Sequence, residues 1–452
     1  MKRFIQTLKN IYKIEDLRVR IFNTLLFILI YRLGSFIVLP GVDPAQLGQL
    51  EAQMQEGILG LLNMFSGGAF ANASILALGI MPYISASIVI QLLGIAVPYF
   101  QKLQKEGESG RKKINQYTRY LTVLITAAQA PAYLTNLIGQ LPPEAISPFD
   151  PAITSPTVFF MISSVIMLIA GTMFVMWLGE RITEKGIGNG ISLIIMVGII
   201  AQLPFALMAE ATARFTEGAG GGMVFFLITL AVLMGIVVLS ILLVQGTRRI
   251  PVQFAKRVVG NKQYGGVRQY LPLKVNAAGV MPIIFAQAIM FVPITLAGFS
   301  EALGGFAATM SNFYGFWYNF TFAVLIILFT YFYTAITVNP NQMAEDMKKN
   351  GGFIPGVKPG KRTAEFIDNV MSKITLPGSF FLAFVAIMPA IAGILGVTAQ
   401  FAQFFGGTSL LILVGVILDT LQQVESHLLM RHYDGLTKSG RIKGRSPYPM
   451  TG

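Results

Sequence analysis

Few residues in this chain combine the side chains and the spacing that catalysis or metal binding requires. Its two histidines, His427 and His432, are five positions apart with no complete ligand set beside them, and its 452 residues include no cysteine. A zinc site draws its ligands from His, Cys and carboxylate side chains. The lack of cysteine also excludes disulfides and thiolate nucleophiles. We therefore expect no metal, no cofactor and no catalytic activity.

A glycine-rich segment, Gly186-Ile187-Gly188-Asn189-Gly190, is similar to a nucleotide-binding loop. Such a loop follows a β-strand and is accompanied by a phosphate-binding lysine or by an acidic residue for the ribose. Here the segment follows a long apolar stretch that predicts a helix, and neither partner residue is in the required place. We do not interpret it as a nucleotide site.

Positive charge is the chemistry that the sequence does provide. Residues 245–274 contain seven Lys or Arg, and residues 339–373 contain six. Exposed basic loops attract anionic lipid headgroups, RNA phosphates or an acidic protein surface. Alternatively, these charges only orient the chain in a membrane. Their number exceeds what orientation needs, which favours a docking surface.

The segments that flank these basic loops are strongly apolar. Hydrophobic residues make up 54% of the chain, charged residues make up 12%, and the mean hydropathy is +0.64. A soluble domain carries about 25% charged residues, and a helix needs about 20 apolar residues to cross a bilayer. The sequence predicts ten such spans, near residues 19–39, 74–98, 118–138, 154–178, 189–208, 221–244, 275–297, 317–338, 373–393 and 403–424.

The basic residues give each connection a side of the membrane. Of the 34 Lys and Arg, 32 fall in the two tails or in every second gap between the predicted spans. Basic residues stay in the cytoplasm, so both termini are expected there, which requires an even number of spans. The interpretation gives a cytoplasmic tail at 1–18, five helices in 19–210, five in 211–424 and a cytoplasmic tail at 425–452. Because five is odd, the two halves would form an inverted pair.

The predicted spans contain almost no ionisable side chains. Arg32 lies in the first span, and Asp419 and Glu425 lie toward the cytoplasmic end of the last. We interpret them as snorkelling or pairing between helices, with a proton relay or gating charge as the alternative. A solute transporter uses polar groups near the midplane, and a membrane-embedded enzyme needs catalytic groups at that depth. Both are rival interpretations that this sequence does not favour.

Several shorter segments predict local structure. The glycine-rich residues 57–70 are too short to span and predict a re-entrant or interfacial piece on the outer side, or a surface-lying amphipathic helix. Pro82 predicts a kink inside the second helix, with a helix broken at membrane depth beside a cavity as the alternative. Residues 248–259 partly alternate between apolar and polar, which predicts a basic β-hairpin with Gly265-Gly266 as its turn. Residues 343–349 predict a helix.

Five motifs together resemble the bacterial SecY family over about residues 19–445. They are Gly79-Ile80-Met81-Pro82-Tyr83-Ile84-Ser85-Ala86-Ser87; Lys105-Glu106-Gly107-Glu108-Ser109-Gly110-Arg111; Trp177-Leu178-Gly179-Glu180 with Gly186-Ile187-Gly188-Asn189-Gly190-Ile191-Ser192; Leu271-Pro272-Leu273-Lys274-Val275-Asn276; and Phe405-Gly406-Gly407-Thr408-Ser409-Leu410.

The resemblance implies an all-α membrane protein with ten transmembrane helices in two inverted pseudosymmetric halves. These halves would surround an hourglass pore with a short re-entrant plug helix near 58–72. It implies a pore ring of Ile80, Ile84, Ile191, Ile195, Ile284 and Ile412. It places the plug core at Leu61, Leu62, Asn63, Met64, Phe65, Ser66, Gly67 and Gly68. A lateral gate between the second, third, seventh and eighth helices would include Ser85, Gln91, Gln129, Asn276 and Val292.

The function implied by the resemblance is a protein-conducting channel in the bacterial cytoplasmic membrane that translocates unfolded chains and inserts membrane segments laterally. The implied partners are the SecE and SecG subunits, the SecA ATPase, the ribosome, signal-bearing preproteins and anionic phospholipids, with no specific DNA. SecA and the ribosome would dock on Arg248, Arg249, Lys256, Arg257 and Lys358. One residue departs from the family pattern. The family usually has the turn Gly-X-Arg-Pro-Gly, and this chain has Lys358 at the arginine position. Lysine keeps the charge but lacks the planar fork of arginine.

Overall fold

Helices account for most of the structure, which is a computed structural model. It describes residues 14–44, 47, 60, 63–141, 156–216, 222–254, 257–259, 262–264, 268–297 and 312–439. The helices are α1 (Glu15–Gly34), α2 (Met81–Ala96), α3 (Pro98–Lys105), α4 (Glu108–Gln140), α5 (Pro156–Lys185), α6 (Gly190–Thr216), α7 (Gly222–Gln245), α8 (Met281–Ala297), α9 (Phe316–Thr337), α10 (Pro340–Lys349), α11 (Lys361–Ile394), α12 (Ala399–Ala402) and α13 (Gly407–Ser439). The strands are β1 (Thr247–Phe254), β2 (Arg257–Val259), β3 (Lys262–Tyr264), β4 (Arg268–Lys274) and β5 (Gly352–Phe353).

Each of the ten predicted spans contains a helix, namely α1, α2, α4, α5, α6, α7, α8, α9, α11 and α13. Within the described part of the chain, seven of these helices are long and apolar enough to cross a membrane alone, and the pair α2 and α3, bent by 97°, makes an eighth if it is one span. Helices α1 and α8 fall short of this standard, and α8 has only 17 residues. The membrane character is confirmed, whereas the number ten stays a prediction from the charge pattern.

The predicted kink at Pro82 is wrong, because this proline begins a helix instead of bending one, and the alternative of a broken helix agrees with the structure. Residues 66–80 form successive turns, and α2 starts at Met81 with Pro82 in its first turn. Proline fits there because the first backbone N–H groups of a helix have no partner within it. The turns are fixed to the chain after α1, since the Leu39 N–H donates to the Ala73 carbonyl (2.8 Å) and the Ile75 N–H donates to the Ile37 carbonyl (2.9 Å).

The main apolar core joins side chains from both halves of the chain. It includes Tyr31 of α1, Ile195 of α6, Ile326 of α9, Leu382 of α11 and Leu411 of α13. A second cluster packs the turns of residues 70–77 against α4 and α5. Long apolar side chains on the outer faces of the helices stay exposed, which fits helices that contact lipid.

The glycine-rich connection between α5 and α6 serves packing. The Ile187 N–H donates to Thr24 Oγ1 of α1 (3.0 Å), and the Gly188 N–H donates to Gln423 Oε1 of α13 (2.9 Å). Backbone amides that would bind phosphate in a nucleotide loop are therefore occupied by the protein's own side chains. A Cβ at Gly190 would lie 2.0 Å from the Gly179 carbonyl oxygen, so only glycine permits this close approach of the two helices.

Candidate functional site

Six isoleucines from four regions of the sequence belong to the main core or pack against it. Ile80 and Ile84 lie at the start of α2, Ile191 and Ile195 lie in the first turns of α6, Ile284 belongs to α8 and Ile412 to α13. Within each of the first two pairs the four-residue spacing places both side chains on one helix face.

All six isoleucines take part in one apolar cluster. Ile80, Ile195 and Ile412 are buried members, and Ile84, Ile191 and Ile284 are partly buried and pack against it. We call these six residues the isoleucine ring. Its members carry neither charge nor hydrogen-bonding side chains, so the ring can exclude water but cannot select a solute by polar contacts.

The described part of the predicted plug packs against the same cluster. Met64 and Phe65 are buried cluster members, whereas Leu61 and Leu62 lie outside the described residues. Residues 63–65 are helical and the chain then continues in turns through Gly67 and Gly68. Residue 60 is helical as well, so the described part of the predicted plug is mostly turn with four helical residues.

Internal hydrogen bonds define the shape of this turn. Asn63 Oδ1 accepts from the Ala71 N–H (3.0 Å), and Ser66 Oγ accepts from the Phe70 N–H (3.0 Å). Ser66 Oγ in turn donates to the Asn63 carbonyl (3.0 Å). Asn63 and Ser66 are thereby satisfied although they are buried, which is the usual condition for polar groups away from water.

Side chains of neighbouring helices also hold the turn, which the sequence interpretation missed. Tyr31 Oη donates to the Ser66 carbonyl (3.0 Å), and Arg32 Nη1 donates to the Gly67 carbonyl (2.7 Å). On the other flank, Tyr133 Oη of α4 donates to the Phe70 carbonyl (2.9 Å). The sequence predicts snorkelling or pairing between helices for Arg32, whereas its hydrogen-bond partner is a backbone carbonyl of the turn.

The helices of the predicted gate pack as two pairs. Helix α2 packs on α4, and α8 packs on α9. On α2, Ser85 Oγ donates to the Met81 carbonyl (3.2 Å) and Gln91 Nε2 donates to Ser87 Oγ (3.3 Å).

The remaining gate residues differ in their surroundings. Gln129 of α4 is exposed, whereas Asn276 is buried in the turns before α8, where its Oδ1 has no hydrogen-bond partner among the described residues. Val292 lies within α8, and its side chain lies outside what the structure describes. Four of the five predicted gate residues thus lie on α2, α4 and α8, and Asn276 lies in the turns that precede α8.

A buried ion pair lies near the C-terminal end of α6, away from Ile191 and Ile195. Glu210 and Arg214 are 0% and 8% exposed, and Arg214 Nε lies 2.9 Å from Glu210 Oε1. Glu210 Oε2 accepts from the Thr398 N–H (2.8 Å), Arg214 Nη2 donates to the Gly396 carbonyl, and the guanidinium lies 4.0 Å from the centre of the Phe225 ring. The pair therefore ties α6 to α7 and to the segment between α11 and α12. The spacing of four residues between opposite charges could have indicated it.

The two basic loops form one unit. Strands β1 and β4 pair antiparallel from Thr247 opposite Lys274 to Gln253 opposite Arg268, and β5 from the second loop pairs with the other edge of β1. The hairpin prediction is confirmed, but its turn was misplaced. Val259 pairs with Lys262, so the strands reverse direction between these two residues, and Gly265-Gly266 lies outside the described residues. We call the sheet β4-β1-β5 and the turns that follow β5 the basic platform.

An apolar underside fixes the basic platform to the membrane helices. Ile250 of β1, Leu273 of β4 and Ile354 are buried together with Ile367 and Met371 of α11. Alternation along β1 places Arg249 on the face opposite Ile250, and Arg248, nearer the start of the strand, is exposed as well.

On the outer surface of the platform, Arg248, Arg249 and Lys358 are exposed. Arg257 belongs to β2, although its side chain is not described, and Lys256 lies outside the described residues. The arrangement gives a rigid positive surface that is suited to binding an acidic partner.

Comparison with known proteins agrees with this architecture. The family model of SecY matches residues 74–421. This chain belongs to the SecY family. Protein translocase subunit SecY of Streptomyces galbus is 42% identical over 94% of this chain and 98% of its own length. The SecY subunits of Aquifex aeolicus and Haemophilus influenzae are 40% and 43% identical, over 94% and 95% of this chain and 98% and 96% of their own. SecY is a channel subunit of a protein translocase and not an enzyme.

Solved structures share the fold. A structure of a protein-conducting channel matches 94% of this chain and 95% of its own, with a TM-score of 0.60 and 16% identity. Sec61 in the canine ribosome–channel complex from the endoplasmic reticulum matches 94% of this chain and 95% of its own, with a TM-score of 0.56 and 16% identity. The SecY fold is therefore shared across distant sequences, and the chain is a multi-pass membrane protein.

Proposed function

We propose that this SecY-family chain is the channel through which unfolded polypeptides cross the bacterial cytoplasmic membrane, and from which apolar segments pass sideways into lipid. The observation that carries the proposal is that the isoleucine ring, Met64 and Phe65 all belong to one apolar cluster or pack against it. The names of the bacterial relatives, all protein translocase subunits, support the same function.

An apolar ring suits a polypeptide channel for physical reasons. A translocating chain presents every type of side chain, and specific polar sites would retain some of them. Hydrophobic constrictions also lose their water, which closes a pore to ions. A lateral opening between the pair α2–α4 and the pair α8–α9 would let apolar segments partition into lipid. There each Leu or Ile lowers the free energy of insertion by about 0.3–0.6 kcal/mol.

The division of the chain follows from the same proposal. Residues 19–210 and 211–424 would be two inverted halves around the pore, and residues 58–72 would form the plug. The tails at 1–18 and 425–452 would be cytoplasmic, in keeping with the alternation of basic residues. The few Lys and Arg in the other gaps fit an outer face from which the exported chain emerges.

The basic platform would receive the machines that supply the chain. Residues 245–274 contain seven Lys or Arg and no Asp or Glu, so the hairpin complements acidic protein surfaces and RNA phosphates. We propose that it binds the SecA ATPase and the ribosome. SecE and SecG would pack against the exposed apolar helix faces, and anionic phospholipids would contact the cytoplasmic basic residues.

Reconstitution tests this function. Proteoliposomes that contain this chain with SecE and SecG are given SecA, ATP and a signal-bearing preprotein. Protection of the preprotein from added protease is expected, and the same preprotein without its signal is the matched control. Equal accessibility of the two preproteins to protease in vesicles whose complex is intact would contradict the proposal. Uptake of a small solute, driven by an ion gradient, would instead favour a transporter.

A further inference from the structure

Two consecutive residues of α1 hold the backbone of the plug turn. Tyr31 is 1% exposed, and its hydroxyl is 3.0 Å from the Ser66 carbonyl oxygen. Arg32 Nη1 is 2.7 Å from the next carbonyl, that of Gly67. Both acceptors are main-chain atoms, so the contacts depend on where the turn lies and not on its side chains.

Glycines allow the turn to sit this close to the helices. Gly67 has φ +67°, and a Cβ there would lie 2.7 Å from Arg32 Nη1 and 2.9 Å from Gly198 Cα of α6. A Cβ at Gly198 would in turn lie 2.8 Å from the Phe65 carbonyl oxygen. The turn therefore packs closely against both α1 and α6.

The charge of Arg32 makes this contact costly to lose. Among the ion pairs of the described residues none involves Arg32; besides the carbonyl, its guanidinium lies 5.4 Å from the centre of the Phe36 ring. A cation within an apolar span requires such partners. Hydrogen bonds to charged groups contribute more to stability than neutral ones do.

We propose that Tyr31 and Arg32 are the positioning residues of the plug: they hold the turn at Ser66–Gly67 in the closed pore and thereby set how readily a preprotein opens it. This inference rests on the proposed channel function and deepens it. The acceptors must be released when the plug moves, so the two donors resist opening. Their loss favours the open pore and relaxes the requirement for a signal sequence.

The position of the plug can be measured in the resting protein. Because the chain has no cysteine, Met64→Cys introduces a single thiol at a site that is 3% exposed. Its rate of reaction with a water-soluble maleimide reports how often the turn leaves its seat. We expect this rate to rise about fivefold with Tyr31→Phe and at least about tenfold with Arg32→Met, whereas Arg32→Lys, which keeps a charged donor, recovers part of the difference.

Tyr318→Phe is the matched control, since it removes the hydroxyl of another buried tyrosine of the same core, on α9. Each variant is compared in complexes that elute intact on gel filtration. Equal labelling rates for Tyr31→Phe and Tyr318→Phe would overturn the inference, even if Arg32→Met failed to fold. The labelling needs neither SecA nor a preprotein. Its result therefore tests the role of Tyr31 and Arg32 even if the translocation assay contradicts the proposed channel function.

A second readout measures the consequence for function. Translocation of the preprotein without its signal is expected to rise about fivefold or more in Tyr31→Phe relative to Tyr318→Phe, in parallel with the labelling rate. Faster labelling with no gain in signal-independent translocation would refute the role in opening. A loss of packing alone would lower the amount of intact complex without favouring the preprotein that lacks a signal.

Discussion

Replacing Arg214 by methionine is expected to destabilise the folded protein by about 3–5 kcal/mol, the cost of leaving one partner of a buried ion pair uncompensated. Glu210 is 0% exposed, and the Arg214 guanidinium is its charged neighbour at 2.9 Å. Methionine keeps the length and the apolar stem of the side chain, so the change removes mainly the charge and its hydrogen bonds.

The surroundings of the pair set the size of the effect. Arg214→Met also removes the donor to the Gly396 carbonyl and the contact with the Phe225 ring at 4.0 Å, and a cation–π contact contributes about 0.5–2 kcal/mol. Adding Glu210→Gln neutralises the remaining charge and keeps an acceptor for the Thr398 N–H, which now lies 2.8 Å from Glu210 Oε2. The double variant is therefore expected to be more stable than Arg214→Met alone.

Equilibrium unfolding of the purified protein in mixed SDS and neutral detergent measures these free energies. The chain has two tryptophans, Trp177 and Trp317, one on α5 and one on α9, so their fluorescence follows both halves. A stability of Arg214→Met within about 0.5 kcal/mol of the unmodified chain would refute the reasoning, since that is the range of ordinary surface substitutions. So would a double variant whose loss equals or exceeds that of Arg214→Met.

Three further predictions concern the ring, the platform and helix packing. Ile84→Gly with Ile195→Gly should raise the resting ion conductance of planar bilayers, because the hydrophobic constriction widens and admits water; unchanged conductance would contradict the ring as ion seal. Arg248→Glu with Arg249→Glu should weaken binding of SecA and ribosomes at physiological salt, as measured by co-sedimentation with proteoliposomes, whereas equal binding would argue against docking there. Gly190→Ala should destabilise the protein by about 1–3 kcal/mol in the detergent titration through overpacking, and an unchanged midpoint would show that α5 and α6 can separate freely.

Each of these changes has a matched control in the same chain. Ile162→Gly with Ile166→Gly alters two isoleucines of α5 that are 58% and 62% exposed and should leave conductance unchanged. Lys112→Glu with Lys113→Glu reverses two exposed charges of α4 outside the platform. Gly235→Ala adds a Cβ that meets nothing within 4 Å and should not destabilise α7.

Much of the fold can be predicted from the hydropathy and charge pattern of the sequence. Every predicted span contains a helix, because long apolar segments and basic connections are read directly from residue types. The isoleucine ring was assigned through resemblance, and the structure brings its six members into one cluster. Periodicity alone could not have singled them out, since isoleucines such as Ile162 and Ile166 face outward on the same kind of helix.

The contacts that the sequence interpretation missed depend on backbone placement. The partners of Tyr31 and Arg32 are carbonyl groups of a turn, and any residue type supplies a carbonyl, so no pattern marks them. The pairing of β5 with β1 joins loops about a hundred residues apart through only two residues, which is too short a strand to predict. Pro82 was misplaced because proline is compatible both with a kink and with a first turn.

Contact between a translocating polypeptide and the isoleucine ring tests the central claim most directly. A preprotein that carries one cysteine is arrested in the channel by a folded domain at its C-terminus, and oxidation is applied to a complex with Ile84→Cys, the only cysteine of this chain. The account predicts a disulfide with Ile84→Cys and none with Ile162→Cys, whose side chain faces outward. Equal cross-linking at the two positions, or none at Ile84→Cys while the preprotein is arrested, would contradict a path through the ring.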